Sequence, residues 1–585
     1  MRSLLISFLG VALAVSTPIT AQQPTPASPQ SPSAAEPPVT VIRTTTRMVV
    51  LDVVATDKRG NPVTDLKATD FTVLEKDKEQ TIKSFSLEQP ASAPGQPSAS
   101  PSAIKFPPNV FSNIKFTQVP KTLNVILLDA LNTTVPNQSY VRQQMINLLD
   151  TMPAGQLTAV YTLNDDLRLL QDFTSDPQVL KQVAKNFRPQ RSFVPDNATG
   201  GPRDELLSPG ALVNNPLAAG IQQSMTRFLA NKAEYNFNTQ FRMTSQALQA
   251  IAHMLAAYTG RKNIIWISGG FPLRFLPENG KQRDTCGEPC QMLRNTYNTL
   301  VDTRVAVYPV DATGLVVVGL RGMDAGYDSV GNLEGHPGPA YARVMSSQYD
   351  QFAETHRAME DMAARTGGKA FYNRNDVGMA IQNGITDGST YYLVGYYPSD
   401  KNWNGDFRKL QVKVNRPGIN LRYRPGYYAV DKQGEAQDSK SRNSELVEAM
   451  SLSTPPSTML FFTATLAPPS AQAANKLVVN YSLDAHAINF EQSADGLRHA
   501  SVGCYLRVFK EDGTPVKAAR QLPVVALTPD IYQQVMKAAF PCNIEMELPP
   551  GKYLLRFAAR DERTGMMGTA DGSVTIPQAE AAQAH

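Results

Sequence analysis

The stretch Lys121–Thr134 (KTLNVILLDALNTT) constrains the fold more than any other part of this 585-residue chain. Its apolar run ends with Val125–Leu128 and stops abruptly at Asp129. A run this short and apolar on both faces is typical of a central strand in a parallel sheet that helices cover on both sides. The sequence therefore predicts an α/β domain in which this segment is a central strand.

Polar side chains follow the strand at the point where it ends. Asp129, Asn132, Thr133 and Thr134 lie on the next turn, and open α/β sheets bind ligands at the carboxyl ends of their strands. A carboxylate and hydroxyls on one turn are oxygen ligands of the kind that a hard divalent cation prefers. The alternative is that Asp129 and Thr133 cap the following helix and shape the turn.

Strands and helices alternate along the whole segment 120–388, which predicts a doubly wound, mostly parallel sheet with one hairpin. The predicted strands are 158–163, 167–171 (antiparallel), 263–268, 304–310 and 369–372, and the predicted helices are 139–152, one from 175, 243–259, 350–366 and 376–386. Insertions after 268 and 311, and an excursion over 190–240, reach the same edge of the sheet. Three elaborations around one edge indicate a recognition surface.

The segments on either side of this domain alternate with the period of β-strands. We predict that 39–89 and 390–430 pair in one β-sandwich into which the α/β domain is inserted, and that 446–577 form a second sandwich. The Pro/Ser-rich stretch 90–119 and the charged stretch 431–445 are predicted linkers, and 578–585 form a short tail.

The first residues predict export. Residues 1–21 combine a charge at Arg2, an apolar core and a small-residue cleavage site, as a secretory signal does. A buried helix is the alternative, but the Pro/Ser-rich stretch 22–38 that follows at once is typical of a disordered linker. Because no later segment is apolar over the length that spans a bilayer, we expect a secreted or periplasmic protein without a transmembrane segment.

Export makes the four cysteines candidates for disulfides. Cys286 and Cys290 are close enough to close one loop, and Cys504 and Cys542 lie in strand-like sequence of the last domain. A zinc site of four cysteines is the alternative, but the spacing does not match paired zinc knuckles. The formal net charge of only +4, without a basic cluster, predicts that the protein does not bind nucleic acid.

Several stretches, taken together and in this order, resemble the von Willebrand factor A domain and, more narrowly, secreted bacterial VWFA-related proteins of acidobacterial type. They lie between about 50 and 430 and include VVATDKRGNPVTDLKATDF, VILLDALNT, GRKNIIWISGGFP, VYPVDATGL, ARTGGKAFYN and YYLVGYYP. The last domain is less recognisable. The resemblance implies the same doubly wound fold and a role in binding.

The resemblance also implies a metal-ion-dependent adhesion site, which in this chain is degenerate. Asp129 matches the first Asp of the Asp-x-Ser-x-Ser turn and Thr133 its second Ser, but Leu131 replaces the first Ser. Ser268 stands where a second Asp is typical, and Ser192 and Thr199 are candidates for the Thr of a later loop. The implied ligands of Mg²⁺ or Mn²⁺ are therefore Asp129, Thr133 and Ser268.

A hydrolase with Ser268 as its nucleophile would be a different functional class. A nucleophile elbow needs Gly two residues before and two after the Ser, whereas Trp266 fills the first position and only Gly270 matches. The six histidines are scattered, without an evident pairing. We predict a non-enzymatic protein that binds a protein or cell-surface polymer through the Asp129 face. The alternative is a metal-independent structural component of the cell envelope.

Overall fold

The computed structural model describes most of the chain between residues 48 and 577. The described residues are 48–89, 104, 106–115, 122–150, 156–192, 194, 216–258, 260–272, 288–314, 339–430, 439–467 and 475–577. The predicted signal peptide 1–21, the linker 22–38 and the tail 578–585 lie outside them.

The described chain begins with short strands. They are β1 (Val49–Thr56), β2 (Phe71–Glu75), β3 (Lys78–Gln80), β4 (Ile82–Glu88) and β5 (Val110–Ser112). In β1 and β2 buried and partly exposed residues largely alternate, as expected for strands that cover a core on one face only.

The α/β domain follows. Its elements are β6 (Thr122–Asp129), α1 (Val135–Leu149), β7 (Thr158–Leu163), β8 (Leu167–Thr174), α2 (Pro177–Asn186), α3 (Pro216–Leu255), β9 (Arg261–Ser268), α4 (Glu288–Asp302), β10 (Val305–Asp311), α5 (Pro339–Thr366) and α6 (Val377–Asp387). The strand order is β10-β9-β6-β7-β8. All neighbours are parallel except β8, which runs antiparallel to β7. The predicted mixed α/β fold with a mostly parallel sheet is confirmed.

Helices cover both faces of this sheet, because its strands are apolar on both. β6 is buried from Leu123 to Asp129. One core lies between the sheet and α3, α4 and α5, and includes Leu127 and Trp266. The other lies between the sheet and α1, α2 and α6, and includes Ile126 and Ile267. Successive residues of a strand thus point into different cores.

Two four-stranded antiparallel sheets form the first sandwich. They add β11 (Tyr391–Tyr396), β12 (Asn404–Val414), β13 (Asn420–Arg422) and β14 (Gly426–Val430) to the opening strands. The orders are β13-β1-β11-β4 and β14-β12-β2-β3, and one core joins both sheets. Strands from before and after the α/β domain therefore pair with each other. Residues 39–47 of the predicted sandwich lie outside the described residues.

A helix and a second pair of sheets complete the chain. The elements are α7 (Ser439–Ala449), β15 (Phe462–Leu466), β16 (Lys476–Leu483), β17 (Glu491–Gln492), β18 (Arg498–Lys510), β19 (Pro515–Gln521), β20 (Val524–Leu527), α8 (Pro529–Lys537), β21 (Phe540–Glu547), β22 (Gly551–Asp561) and β23 (Met567–Ile576). One sheet has the order β21-β16-β15-β5, and the other is built around β18 and β22. The predicted pair Cys504 and Cys542 forms a disulfide between β18 and β21.

The structure differs from the sequence prediction in several elements. Part of the predicted linker 90–119 is β5, whose Phe111 pairs with Ala464 of β15, and part of the linker 431–445 is α7. The predicted strand 369–372 is reduced to one bridge, between Phe371 and Val310. The helix predicted over 243–259 begins already at Pro216 and ends at Leu255. Residues 227–235 of this earlier part are exposed or half-buried, so they lack the buried apolar stripe by which sequence periodicity detects a helix.

Buried polar contacts join the three domains into one compact unit. Arg304, at the end of α4, forms a 2.6 Å ion pair with Asp52 of β1. The side-chain hydroxyl of Thr458 donates to the carbonyl oxygen of Met254 in α3, at 2.9 Å. No helix within the described ranges is long and apolar enough to cross a membrane.

Candidate functional site

The candidate site is a row of polar residues at the carboxyl edge of the parallel sheet. Asp129 ends β6, Ser268 ends β9 and Asp311 ends β10. Asp311 is the register partner of Ser268, and Leu128 that of Ile267, so the three residues lie side by side. Because they continue the alternation of Leu127 and Trp266, they share the face that α3, α4 and α5 cover.

Hydrogen-bond donors of the protein surround the carboxylate of Asp129, which is only 2 % exposed. Its Oδ1 accepts from the backbone N–H of Asn132 at 3.0 Å. Its Oδ2 accepts from Asn132 Nδ2 at 2.8 Å, from Trp266 Nε1 at 2.9 Å and from the Ser268 hydroxyl at 2.9 Å. Burial raises the pKa of Asp129, although these four hydrogen bonds act in the opposite direction.

Thr133 fastens the turn after β6 to the end of β9. Its hydroxyl oxygen accepts a hydrogen bond from the backbone N–H of Gly269 at 2.8 Å. A Cβ at Gly270 would lie 3.3 Å from the carbonyl oxygen of Asn132. The Gly269-Gly270 pair therefore lets the chain after β9 pass close to this turn, which accounts for glycines directly after Ser268.

The hydroxyl of Ser268 is fully buried and is shared between two acceptors. Its Oγ lies 2.9 Å from Asp129 Oδ2 and 2.5 Å from the carbonyl oxygen of Gly270. A nucleophilic Ser needs an adjacent base such as an imidazole. The imidazole of His356, in α5, lies 3.3 Å from Asp311 at the end of β10 and stacks on Tyr372. Among the described residues, the hydrogen bonds of the Ser268 hydroxyl include no imidazole.

The implied metal site includes a hydroxyl ligand from a later loop, for which Ser192 and Thr199 are the predicted candidates. Ser192 accepts a local hydrogen bond from the N–H of Val194, and Thr199 lies outside the described residues. The hydroxyl that does reach the turn belongs to Thr244 of α3, which is fully buried and lies 3.0 Å from Asn132 Nδ2. Sequence reasoning missed Thr244 because a Thr inside a helix carries no signal for a loop ligand.

The implied metal ligands Asp129, Thr133 and Ser268 do come together, but their contacts do not fit a bound divalent cation. Both carboxylate oxygens face N–H or O–H donors, whose positive ends repel a cation. The hydroxyl of Thr133 accepts an N–H as well. The one orphaned atom on this turn is Asn132 Oδ1, buried without a partner among the described residues. One neutral oxygen does not supply the near-octahedral set that Mg²⁺ requires.

Nowhere in the described part of the chain do three or more His, Cys, Asp or Glu side chains gather as metal ligands. The contacts agree with the part of the alternative in which Asp129 and Thr133 shape the turn. The other part is wrong, because the N-cap of α1 is Thr134 and the helix has no side-chain cap hydrogen bond among the described residues. Of the second predicted disulfide, Cys290 is bonded and Cys286 lies outside the described residues.

No protein-family model matches the chain, and no curated protein matches it by sequence. Several solved structures are distantly similar to the chain. An aerotolerance-related membrane protein from Bacteroides fragilis is 12 % identical, with a TM-score of 0.24, over 45 % of this chain and 98 % of that one.

Two further similar structures have comparable scores. Proximal thread matrix protein 1 from the mussel byssus, with a zinc-occupied MIDAS motif, is 9 % identical, with a TM-score of 0.22 over 48 % of this chain and 49 % of that one. A von Willebrand factor type A protein from Catenulispora acidiphila is 9 % identical, with a TM-score of 0.23 over 85 % and 73 %. At TM-scores this low the likeness carries no argument about fold or function.

Proposed function

We propose that the chain is a secreted or periplasmic, non-enzymatic binding protein whose A-type domain engages a protein partner without a metal ion. The observation that supports this most is the carboxylate of Asp129. In a metal-dependent site this group would present free oxygens to the cation. Here it accepts four hydrogen bonds from Asn132, Trp266 and Ser268 and thereby ties β6, β9 and the turn together.

The same edge of the sheet carries a surface suited to a protein partner. Thr244 of α3 lies level with Asn132, yet α3 begins at Pro216. At about 1.5 Å per residue, α3 extends roughly 40 Å beyond that level. On this extension the side chains of Phe228 and Tyr235 are 62 % and 70 % exposed. Exposed aromatic residues on a rigid helix are typical anchors of protein interfaces.

A structural role in the envelope is the second candidate, and an exposed apolar edge of the last domain favours it. Val524 of β20 is 76 % exposed, and Leu522 between β19 and β20 is 44 % exposed. Exposed apolar edge strands promote pairing with another sheet. Under this proposal, assembly proceeds through β19 and β20 and not through α3.

A binding experiment separates these proposals from metal-dependent adhesion. The chain from residue 22 is immobilised and exposed to cell-envelope extract in Mg²⁺ and in EDTA. We expect the same bound partner in both buffers and its loss from the variant Phe228→Ala/Tyr235→Ala. Leu169→Ala, which alters an exposed apolar residue of β8 away from α3, is the control.

Two other results would each favour a different function. A partner retained only in Mg²⁺ contradicts metal-independent binding. A partner that the α3 variant retains and a Val524→Asp variant loses favours assembly through the sheet edge.

A further inference from the structure

A cleft of about 830 Å³ opens where the three domains meet. One part of its lining comes from α3 and α4, another from β1, β12 and β14 of the first sandwich, and a third from α7 and the turn between β22 and β23. Clefts of this size between domains are common ligand sites. This one lies away from the Asp129 row and plays no part in the function proposed above.

Two guanidinium groups in the cleft form no direct ion pair with a carboxylate among the described residues, and Asp302 and Asp52 act on one of them, Arg424, only from a longer distance. Arg294 of α4 stacks over the ring of Tyr428, 5.2 Å from its centroid. Arg424 donates to the carbonyl oxygens of Val301 and Val50 at 3.0 and 3.1 Å. The Nε of each is buried without a hydrogen-bond acceptor in the described structure. Both side chains are half-buried, and a partly desolvated cation without a direct ion pair is costly, so both would gain from an anionic group in the cleft.

The helix α7 brings the opposite charge. Glu448 accepts a hydrogen bond from Gln246 Nε2 of α3 at 3.1 Å. Glu445 lies three residues earlier on the same helix and has the positive charge of Arg560 nearby, without a direct ion pair among the described residues. Burial raises the pKa of Glu448, and repulsion from Glu445 adds to the effect. These two carboxyls would gain from a cation, just as the guanidinium groups would gain from an anion.

Amide side chains line the cleft between these charges. Asn295 and Asn298 of α4 face it and make no side-chain hydrogen bond to other described residues. An amide side chain both donates and accepts, which is what a peptide backbone requires of its partner. A polyanion or a polycation would match only one of the two sets of charges, and a neutral glycan neither.

We propose that this interdomain cleft binds an extended peptide segment of a partner protein, with an acidic residue at Arg294 and Arg424 and a basic residue at Glu445 and Glu448. The backbone of the segment pairs with the amides of α4. Because all three domains line the cleft, the bound segment contacts each of them and so also fixes their arrangement.

Random dodecapeptides displayed on phage test this directly. They are selected against the chain from residue 22 and counter-selected against the double variant Arg294→Gln/Glu448→Gln. Enriched peptides are then synthesised and their affinities measured by fluorescence anisotropy. We expect them to share an acidic and a basic residue at a fixed spacing, and each single variant to weaken binding about tenfold or more.

Three controls keep the result specific. Arg520→Gln and Glu511→Gln change exposed charges of the last domain and should leave affinity unchanged, as should Asp129→Asn, which separates this site from the proposed edge function. Thermal unfolding verifies that every variant is folded. The proposal is overturned if no enriched peptide depends on Arg294 and Glu448, or if neutral chitohexaose competes for the cleft and charged peptides do not.

Discussion

Replacing Asp129 tests whether its carboxylate is a structural acceptor. Asp129→Ala leaves the N–H of Trp266 Nε1 without its acceptor, and Trp266 is fully buried. An unsatisfied buried donor costs about 1–3 kcal/mol. Asn132 loses two hydrogen bonds at a half-buried position, whereas the Ser268 hydroxyl keeps its hydrogen bond to the carbonyl oxygen of Gly270. We therefore expect a loss of about 2–5 kcal/mol in the free energy of unfolding.

The variant Asp129→Asn should cost less. Its amide oxygen can take the place of Oδ2, which accepts three bonds, and its amide nitrogen then faces only the N–H of Asn132. One lost hydrogen bond predicts about 1–2 kcal/mol. The order of stability should be wild type, then Asn, then Ala.

The assay uses the fact that the chain has only two tryptophans. In a Trp403→Phe background, fluorescence during urea unfolding reports on Trp266 alone. Asp165→Asn, in an exposed turn of the same domain, is the control and should change stability by less than about 0.5 kcal/mol. An Asp129→Ala variant as stable as this control would refute the reasoning.

Four further predictions concern other parts of the molecule. Because burial raises the pKa of Asp129, its contribution to stability should fall as pH rises from its unfolded value through the folded one, and Asp129→Asn should remove that slope in urea titrations. Burial lowers the pKa of Lys262 from 10.5 to about 7, so the unfolded chain binds more protons between these values and stability should rise with pH there, except in Lys262→Met. The disulfide between Cys504 and Cys542 spans 38 residues, so the double Ser variant should lose about 4 kcal/mol in calorimetry of the last domain. Arg408 and Glu75 form a buried 3.0 Å ion pair, so Arg408→Met alone should cost about 3–5 kcal/mol in urea unfolding, and Glu75→Gln in addition should restore part of it.

The sheet was predictable because each of its central strands has a recognisable sequence pattern. The runs that end at Asp129, Ser268 and Asp311 are short and apolar, and their order along the chain places polar ends at one edge. Two of these residues, Asp129 and Ser268, were predicted as site residues, and they do contact each other.

The partners that decide the chemistry of the site were not predictable in the same way. Trp266 lies in an apolar run, so the sequence indicates a core residue and not a donor to Asp129. That contact depends on the register between β6 and β9. Thr244 reaches Asn132 only because α3 packs over the edge, and the pairing of β5 with β15 joins segments some 350 residues apart. Contacts of this kind are set by packing, which no local pattern encodes.

Thermal unfolding with and without metal tests the central claim most directly. The chain from residue 22 is unfolded in EDTA and then in millimolar Mg²⁺ or Mn²⁺. A ligand that binds only the folded state must raise the midpoint by mass action. Because the donors around Asp129 leave no place for a cation, we predict the same midpoint in all three buffers. A midpoint that rises with metal in the wild type and not in Asp129→Ala would contradict the account.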